Sequence, residues 1–431
     1  MPRNNNRLTK SFTHQRLWLL LASSVVAANS FGLEINASAG LQAEHSDNMT
    51  KVPANKRSDL KSTVSASINA LHKGEKLTLD LSYRGDHSTY QQDSFDDETR
   101  VNGNGSLVYE QIDQQLIWTL ENSRKNVIKN KALNDVEENR EDRSISKASV
   151  DLILRPTSVD SITLTPSYTD IKYEDTDDQD SERVGGVLSW NHALSKIDSF
   201  GLRVNYDDVT FDRDIFDYEY YLYTVNYQAQ LAKLSYAIAV GVNESKRVSD
   251  DYDGQYIKAN AAYKLNAGVF DLAVLQELTD TSRGTNNEGV SESSSDFELI
   301  DVFERRNIEL SYNNQAICNS CNIELTLSYE DEDYEFLPRD NEEYQLSVGL
   351  SYQWTRLISL NVKTEWQDVS FSNQVLGQGD YEGVAYRTGL NWQVAAKLLT
   401  SVYMAYEDRE FDSGVRDYDE LKGGVSINYS F

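Results

Sequence analysis

The chain ends in a run of residues that alternate between two kinds of side chain. Within residues 421–431, Leu421, Val425, Ile427, Tyr429 and Phe431 fall on one parity, and the residues between them are polar or glycine. A period of two places successive side chains on opposite faces of a β-strand, whereas helical patterns repeat every 3.6 residues. The run therefore predicts a strand with one apolar face and one polar face.

The same alternation recurs along most of the chain. It is clearest in four internal runs, residues 77–84, 200–207, 323–330 and 344–352. With their flanks these runs are about ten residues long, the length that a tilted strand needs to cross a bilayer. The 431 residues include only 5 Pro, and the mean hydropathy is -0.57. These values fit strands that are apolar on one face, and they argue against transmembrane helices.

The connections between the runs are of two kinds that follow each other along the chain. Short turns include residues 72–75, 155–158 and 266–268. Long acidic segments lie between them, at residues 45–58, 86–98, 125–143, 174–182, 207–218, 247–254, 280–298, 331–342, 371–381 and 409–418. This asymmetry is typical of outer-membrane barrels, whose long loops are extracellular and whose short turns are periplasmic. The sequence predicts an all-β, transmembrane antiparallel β-barrel of about 20 strands, with 18 as the alternative.

Two residue types bear on this prediction. Many of the 26 Tyr lie at the last apolar position before a loop, as at Tyr206, Tyr329 and Tyr406. Aromatic girdles at the two membrane interfaces account for that placement. Pro166 is the exception, because it lacks the N–H that a strand ladder needs, so we expect a bulge or a late strand start there.

The N-terminus has the pattern of a secretory signal peptide. Four basic residues precede an apolar segment, residues 17–28. Ala28 and Ser30 then supply the small residues of a cleavage site. A membrane anchor is the weaker alternative, because the apolar segment is too short. We predict a signal peptide over residues 1–30, a barrel over residues 31–431, and the cell outer membrane as the location.

The formal net charge of -28 narrows the choice of partners. Binding to nucleic acid needs clustered Lys and Arg, so nucleic acid is not expected. The acidic loop tips are interpreted as solvated segments, and no metal or cofactor is predicted. The predicted partners are outer-membrane lipid, lipopolysaccharide and the barrel-assembly machinery.

The chain has two cysteines, Cys318 and Cys321. Zinc would need two further ligands, and none lie nearby in the sequence. A local disulfide is the favoured interpretation for an exported chain, because the compartment is oxidising.

Strand parity selects five basic residues as candidates that face the barrel lumen: Arg84, Arg203, Lys258, Lys363 and Arg387. Each lies between apolar neighbours that would face lipid. They would form either a mixed-charge track for a hydrated, charged polymer or ordinary ion pairs that stiffen the barrel, and parity alone leaves both open.

An enzyme is not predicted. Only Asp86, His87 and Ser88 place a base beside a hydroxyl and a carboxylate. Adjacent strand residues point to opposite faces, so the three cannot form a catalytic triad on their own. The chain contains no nucleophile elbow, HExxH motif or phosphate-binding glycine loop.

Several segments resemble the β-barrel porin-2 group, outer-membrane proteins often associated with exopolysaccharide loci. They are residues 40–48, and the Tyr/Phe-Asp tips at residues 211–214, 411–413 and 417–420. The terminal strand with Tyr429 and Phe431 also resembles the assembly signal of outer-membrane barrels. As the last strand, it should pair with the first, around residues 33–43, to close the barrel.

The resemblance implies that a secreted polysaccharide crosses the outer membrane, with periplasmic export proteins as further partners. The sequence-based hypothesis is therefore a passive conduit for export or assembly of a surface exopolysaccharide. A general or solute-selective diffusion porin is the first alternative. A structural or adhesive surface barrel that acts through its acidic loops is the second.

Overall fold

The computed structural model describes most of the chain after the predicted signal peptide, which lies outside the described residues. The described residues are 32–129, 133–212, 214–247, 251–280, 301–315, 317–318, 320–335, 340–372 and 379–431.

Twenty strands follow one another along these residues. They are β1 (Leu33–Ser46), β2 (Asp59–Lys73), β3 (Leu77–Tyr90), β4 (Glu98–Ile112), β5 (Leu116–Ile128), β6 (Arg140–Leu154), β7 (Asp160–Tyr173), β8 (Ser181–Ala193), β9 (Asp198–Phe211), β10 (Tyr218–Gln230), β11 (Leu234–Arg247), β12 (Asp251–Lys264), β13 (Gly268–Asp280), β14 (Val302–Asn314), β15 (Cys321–Tyr334), β16 (Asn341–Thr355), β17 (Ile358–Phe371), β18 (Tyr381–Ala395), β19 (Leu398–Phe411) and β20 (Tyr418–Ser430). Single-turn 3₁₀ helices lie at Glu137–Asn139, Asp177–Gln179 and Asp214–Phe216. No helix in the described part of the chain is long and apolar enough to cross a membrane.

Each strand pairs antiparallel with its neighbours in sequence, and β20 pairs with β1 to close the sheet. The closing ladder runs from Ser38 opposite Ser430 to Ser46 opposite Lys422, and the Phe431 N–H donates to the Ala37 carbonyl at 2.9 Å. The predicted all-β closed barrel of 20 strands is confirmed. The pairing of first and last strands is also confirmed, although it begins at Ser38 rather than Leu33, because tilted strands in a barrel are staggered.

The strands are longer than the sequence pattern indicated. They span 13 to 15 residues instead of about ten, so the predicted loops 86–98 and 207–218 shrink to residues 91–97 and 212–217. The added residues lie at the end of the barrel that carries the long loops, here called the loop end. Outward-facing residues there are charged, as at Asp368 opposite Glu382, yet they remain in the ladder. The apolar alternation therefore marks only part of each strand.

The outer surface carries an apolar band between two levels of aromatic side chains. Exposed apolar residues such as Leu41, Val242 and Val425 form the band. Aromatic pairs at the loop end are Tyr206–Tyr221 and Tyr329–Tyr344, and pairs at the opposite, turn end are Phe270–Tyr312 and Tyr429–Phe431. This arrangement is the one expected of a barrel that crosses a bilayer.

The ladder at Pro166 is interrupted without a change of register. Between β6 and β7, Ser149 pairs with Ser167 and Leu152 pairs with Leu164, and the residues between them are unpaired. On the other side Pro166 stays opposite Gly186 of β8. The predicted bulge or late strand start was wrong, because losing one donor only opens the ladder on one side of β7.

The apolar core lies inside the loop end of the barrel. One cluster on β9 and β10 contains Val209, Phe211, Tyr218, Tyr220 and Leu222. A second cluster, on β17, β18 and β19, contains Val369, Phe371, Tyr381 and Phe411. These residues share the inward faces of their strands, so they cover the lumen wall with apolar side chains at this end.

The part of β13 nearest the loop end separates from β12 and lies against the inner face of the wall, while β13 stays paired with β14 as far as Asp280. Strands β12 and β13 pair only from Ile257 to Lys264. Beyond that ladder, toward the loop end, the inward-facing Asn243 of β11 donates a hydrogen bond from Nδ2 to the Leu278 carbonyl at 3.0 Å. A Cβ at Gly254 would come within 2.9 Å of the Leu278 Cβ, so glycine permits this close approach.

Candidate functional site in the barrel lumen

Between β5 and β6, residues 133–139 fold into the lumen and are here called the inner loop. Glu137 holds it against β2, β3 and β4. Lys61 Nζ donates to Glu137 Oε2 at 3.1 Å and the Tyr90 hydroxyl donates to the same oxygen at 2.8 Å. Arg100 also forms an ion pair with Glu137. Since all of these side chains are largely shielded from solvent, the contacts fix the loop in place.

Two further contacts hold the start of the inner loop. Asn134 Nδ2 donates to the Lys51 carbonyl at 2.7 Å, and the Arg140 guanidinium contacts both Asp135 oxygens at 2.5 and 2.8 Å. Burial alone would raise the pKa of Asp135. The hydrogen bond from Arg140 and the charges of Arg140, Lys51 and Arg409 outweigh burial and lower the Asp135 pKa below its usual value. The loop is therefore seated with a charged Asp135.

A cavity of about 850 Å³ lies beside the inner loop, within the lumen. Leu133 and Asp135 of the loop form part of its lining. Its basic lining residues are Lys125, Arg140, Arg143, Lys258, Arg305 and Arg409. Its other acidic lining residues are Glu309, Glu330 and Glu343. The inner loop thus fills one side of the lumen and leaves a charged passage on the other.

This cavity continues toward the turn end. Two further cavities, of about 470 and 670 Å³, line the lumen around β7 to β13, and Asn260 contributes to all three. The last of them reaches Ser195 and Asp198, in and beside the turn between β8 and β9. The three cavities share lining residues and follow one another from the inner loop to the turn end.

The five lumen candidates take different positions on the inward faces. Arg203 and Lys258 line the same cavity of about 470 Å³. Lys363 and Arg387 lie directly opposite each other on β17 and β18. Arg84 is separate from both pairs, on β3.

Each of three candidates contacts a neighbouring side chain. Arg84 Nε donates to both Asp86 oxygens at 2.8 and 3.0 Å, and Lys363 Nζ lies 2.6 Å from Glu365 Oε1. The Arg387 guanidinium lies 4.7 Å from the centroid of the Tyr403 ring. These are local contacts rather than one connected track. A role for the five residues in moving a solute or polymer stays a prediction.

The two cysteines and the two aromatic residues of the predicted assembly signal make local contacts. Cys318 and Cys321 form a disulfide, with Cα atoms 5.2 Å apart, at the turn between β14 and β15. Tyr429 and Phe431 pack edge-to-face at the closing strand.

Asp86, His87 and Ser88 are held by three different partners. Asp86 accepts from Arg84, His87 Nδ1 lies 2.9 Å from Thr99 Oγ1, and Ser88 Oγ lies 3.0 Å from Thr63 Oγ1. The three side chains therefore do not contact one another as a catalytic triad would.

Sequence reasoning selected Lys258 but missed other basic residues that line the cavity beside the inner loop. Lys125, Arg140 and Arg143 fell within the predicted loop 125–143, and Arg409 fell within the predicted loop 409–418. Lys125, Arg143 and Arg409 lie in strands in the structure, and Arg140 begins one. Continuing the strand parity through these polar segments would have placed Lys125 and Arg143 on the inward face.

Comparisons with known proteins find similar solved structures of low sequence identity. OccK2 (OpdF) of Pseudomonas aeruginosa, solved with glucuronate, is 11% identical, with a TM-score of 0.42 over 92% of this chain and 98% of that one. The FrpB iron transporter of Neisseria meningitidis is 8% identical, with a TM-score of 0.48 over 94% and 83%. OmpT, an outer membrane protein of Vibrio cholerae, is 12% identical, with a TM-score of 0.39 over 93% and 100%. No protein-family model and no curated protein matches the chain.

Proposed function

We propose that the protein is a channel of the outer membrane through which small hydrophilic solutes diffuse. The observation that carries this proposal is the series of three adjoining lumen cavities that share Asn260, with the inner loop beside one end of the series. A closed barrel with an apolar band and two aromatic levels supports the location. Solutes would move by diffusion along the polar side chains of the lumen.

A solute channel accounts for the inner loop better than polymer export does. The loop is anchored by Glu137 to three strands and by Asp135 to Arg140 of a fourth. A hydrated polysaccharide would have to displace these anchors, whereas a small solute fits the space that they leave. Exopolysaccharide export therefore remains an untested prediction of the resemblance, and no contact in the described residues favours it.

Purified protein in a planar lipid bilayer tests the proposal. We expect stepwise ion conductance, and uptake of small sugars but not of oligosaccharides into liposomes that contain the protein. Heat-denatured protein is the control. Native protein that inserts but conducts no ions would contradict the channel. Loss of surface polysaccharide in a deletion strain, together with absent conductance, would favour export instead.

A further inference from the structure

We infer that the cavity beside the inner loop is a binding site for small solutes that carry a carboxylate. Two arginines that point into it, Arg143 and Arg409, carry this inference. It rests on the proposed channel for its role in transport, but binding itself can be measured without transport.

Among the residues that the structure describes, Arg143 is a buried cation without a counter-ion. Its side chain is 2% exposed, and its Nη1 is buried with no hydrogen-bond partner. Within the described part of the chain its guanidinium makes no ion pair and no hydrogen bond. A buried charge without a partner destabilises the folded state. Such a group is therefore suited to a partner that arrives from solution.

The strand neighbours of Arg143 do not neutralise it. The residue directly opposite on β5 is Lys125, a second cation, and the residue opposite on β7 is Tyr173. Like charges in directly opposite positions destabilise a sheet. Glu141, two residues before Arg143, accepts instead from Thr176 Oγ1 at 2.8 Å and from the Asp175 and Thr176 N–H groups.

Arg409 has a similar environment on the far side of the cavity. Its guanidinium lies over the Tyr381 ring at 4.4 Å and near the Tyr418 ring at 5.7 Å. Its Nε is buried with no hydrogen-bond partner, and within the described residues it forms no ion pair. The nearby Glu407 is already bound by Lys51, at 3.0 Å to both oxygens. Stacking on tyrosine thus orients a guanidinium whose donors remain available.

The remaining charges of the cavity partly cancel. Arg305 Nη2 lies 2.7 Å from Glu330 Oε2, and Arg140 is paired with Asp135. In all, six basic and four acidic residues line the cavity. The excess is positive although the whole chain is acidic, with a net charge of -28. A guanidinium binds a carboxylate through two parallel charge-assisted N–H···O bonds, whereas the hydroxyl oxygens of a neutral sugar accept only weaker, uncharged ones.

Galacturonate and galactose make a matched pair of probes, because they differ by one carboxylate. We would measure binding of each to the purified full-length protein by calorimetry, and block of the conductance in a bilayer. We expect galacturonate to bind and galactose to bind at least about tenfold more weakly. Arg143→Gln and Arg409→Gln should each weaken galacturonate binding by about tenfold, because each removes one charge-assisted contact.

Arg387→Gln is the matched control. Arg387 is also an inward arginine that stacks on a tyrosine, but it does not line this cavity, so the variant should bind as the native protein does. Heat-dependent gel migration verifies that each variant forms a barrel. Equal binding of both sugars, or equal loss in Arg387→Gln, would overturn the inference even if the protein conducts. Selective galacturonate binding without conductance would support the site and overturn only the channel.

Discussion

Single residues in the lumen are arranged in ways that a purely structural interior would avoid. Two pairs of cations lie directly opposite each other, Lys125 with Arg143 and Lys363 with Arg387. Cross-strand pairs of like charge cost stability. Lys363 offsets this cost with an ion pair to Glu365, and Arg387 offsets it by stacking on a tyrosine ring. In the described part of the chain, Arg143 has neither kind of contact. The proposed binding of a carboxylate gives a reason for keeping Arg143 in this position.

Asp135 makes the seating of the inner loop depend on pH. Its pKa is lowered in the seated loop, so a charged Asp135 stabilises that state. This contribution is complete above the ordinary pKa of about 3.9 and is lost as the pH falls through the lowered value. We expect single-channel conductance to be steady from pH 7 to about 4 and to become larger and noisier below it.

Asp135→Asn is the variant that checks this assignment. It removes the titrating group and leaves Arg140 without its ion pair. We expect a loosened loop at neutral pH and little further change on acidification. A transition of the same size and midpoint in the variant would show that another group is responsible.

At the scale of the element, the inner loop is held mainly by one carboxylate. Glu137→Gln keeps the shape of the side chain but weakens its contacts with Lys61, Arg100 and Tyr90. Because these partners are partly buried, we expect a loss of about 1–3 kcal/mol from the seated state and a higher mean conductance. The measurement is conductance of the variant beside the native protein.

Lys56→Gln is the control for the Glu137 variant. Lys56 forms a short ion pair with Asp419, but both side chains are substantially exposed, at 33% and 48%. Exposed pairs contribute little, so this change should leave conductance unaltered. If Glu137→Gln behaves like Lys56→Gln, the inner loop does not narrow the passage.

The elements also show where sequence reasoning succeeds and fails. Alternation found the membrane part of each strand, because one face there must be apolar. It missed the strand ends at Lys125, Arg143 and Arg409, because both faces there are polar while the backbone ladder continues. No local pattern could predict that residues 133–139 fold inward, since their anchors at Lys61 and Arg100 lie on strands distant in the sequence.

For the whole molecule, closure depends on the last strand. The Phe431 N–H adds a bond to Ala37 beyond the β1–β20 ladder, and its ring packs on Tyr429. Phe431→Ala should lower the amount of barrel in the outer membrane severalfold, because the terminal ring belongs to the predicted assembly signal. Molecules that do assemble should conduct normally.

Tyr352→Ala controls for the loss of an aromatic side chain. Tyr352 is exposed on β16 at the same end of the barrel but lies away from the closing strands. We expect near-native amounts in the membrane, as measured by immunoblot of membrane fractions. Equal losses in both variants would assign Phe431 to the aromatic girdle alone.

The separation of β13 from β12 near the loop end has a mechanical consequence. In the described residues the β12–β13 ladder has eight register pairs, fewer than the nine of β1–β20. Under tension, the ladder with fewest hydrogen bonds gives way first. A force that pulls the wall apart would therefore open the barrel between β12 and β13 into one sheet, in which β20 stays paired with β1.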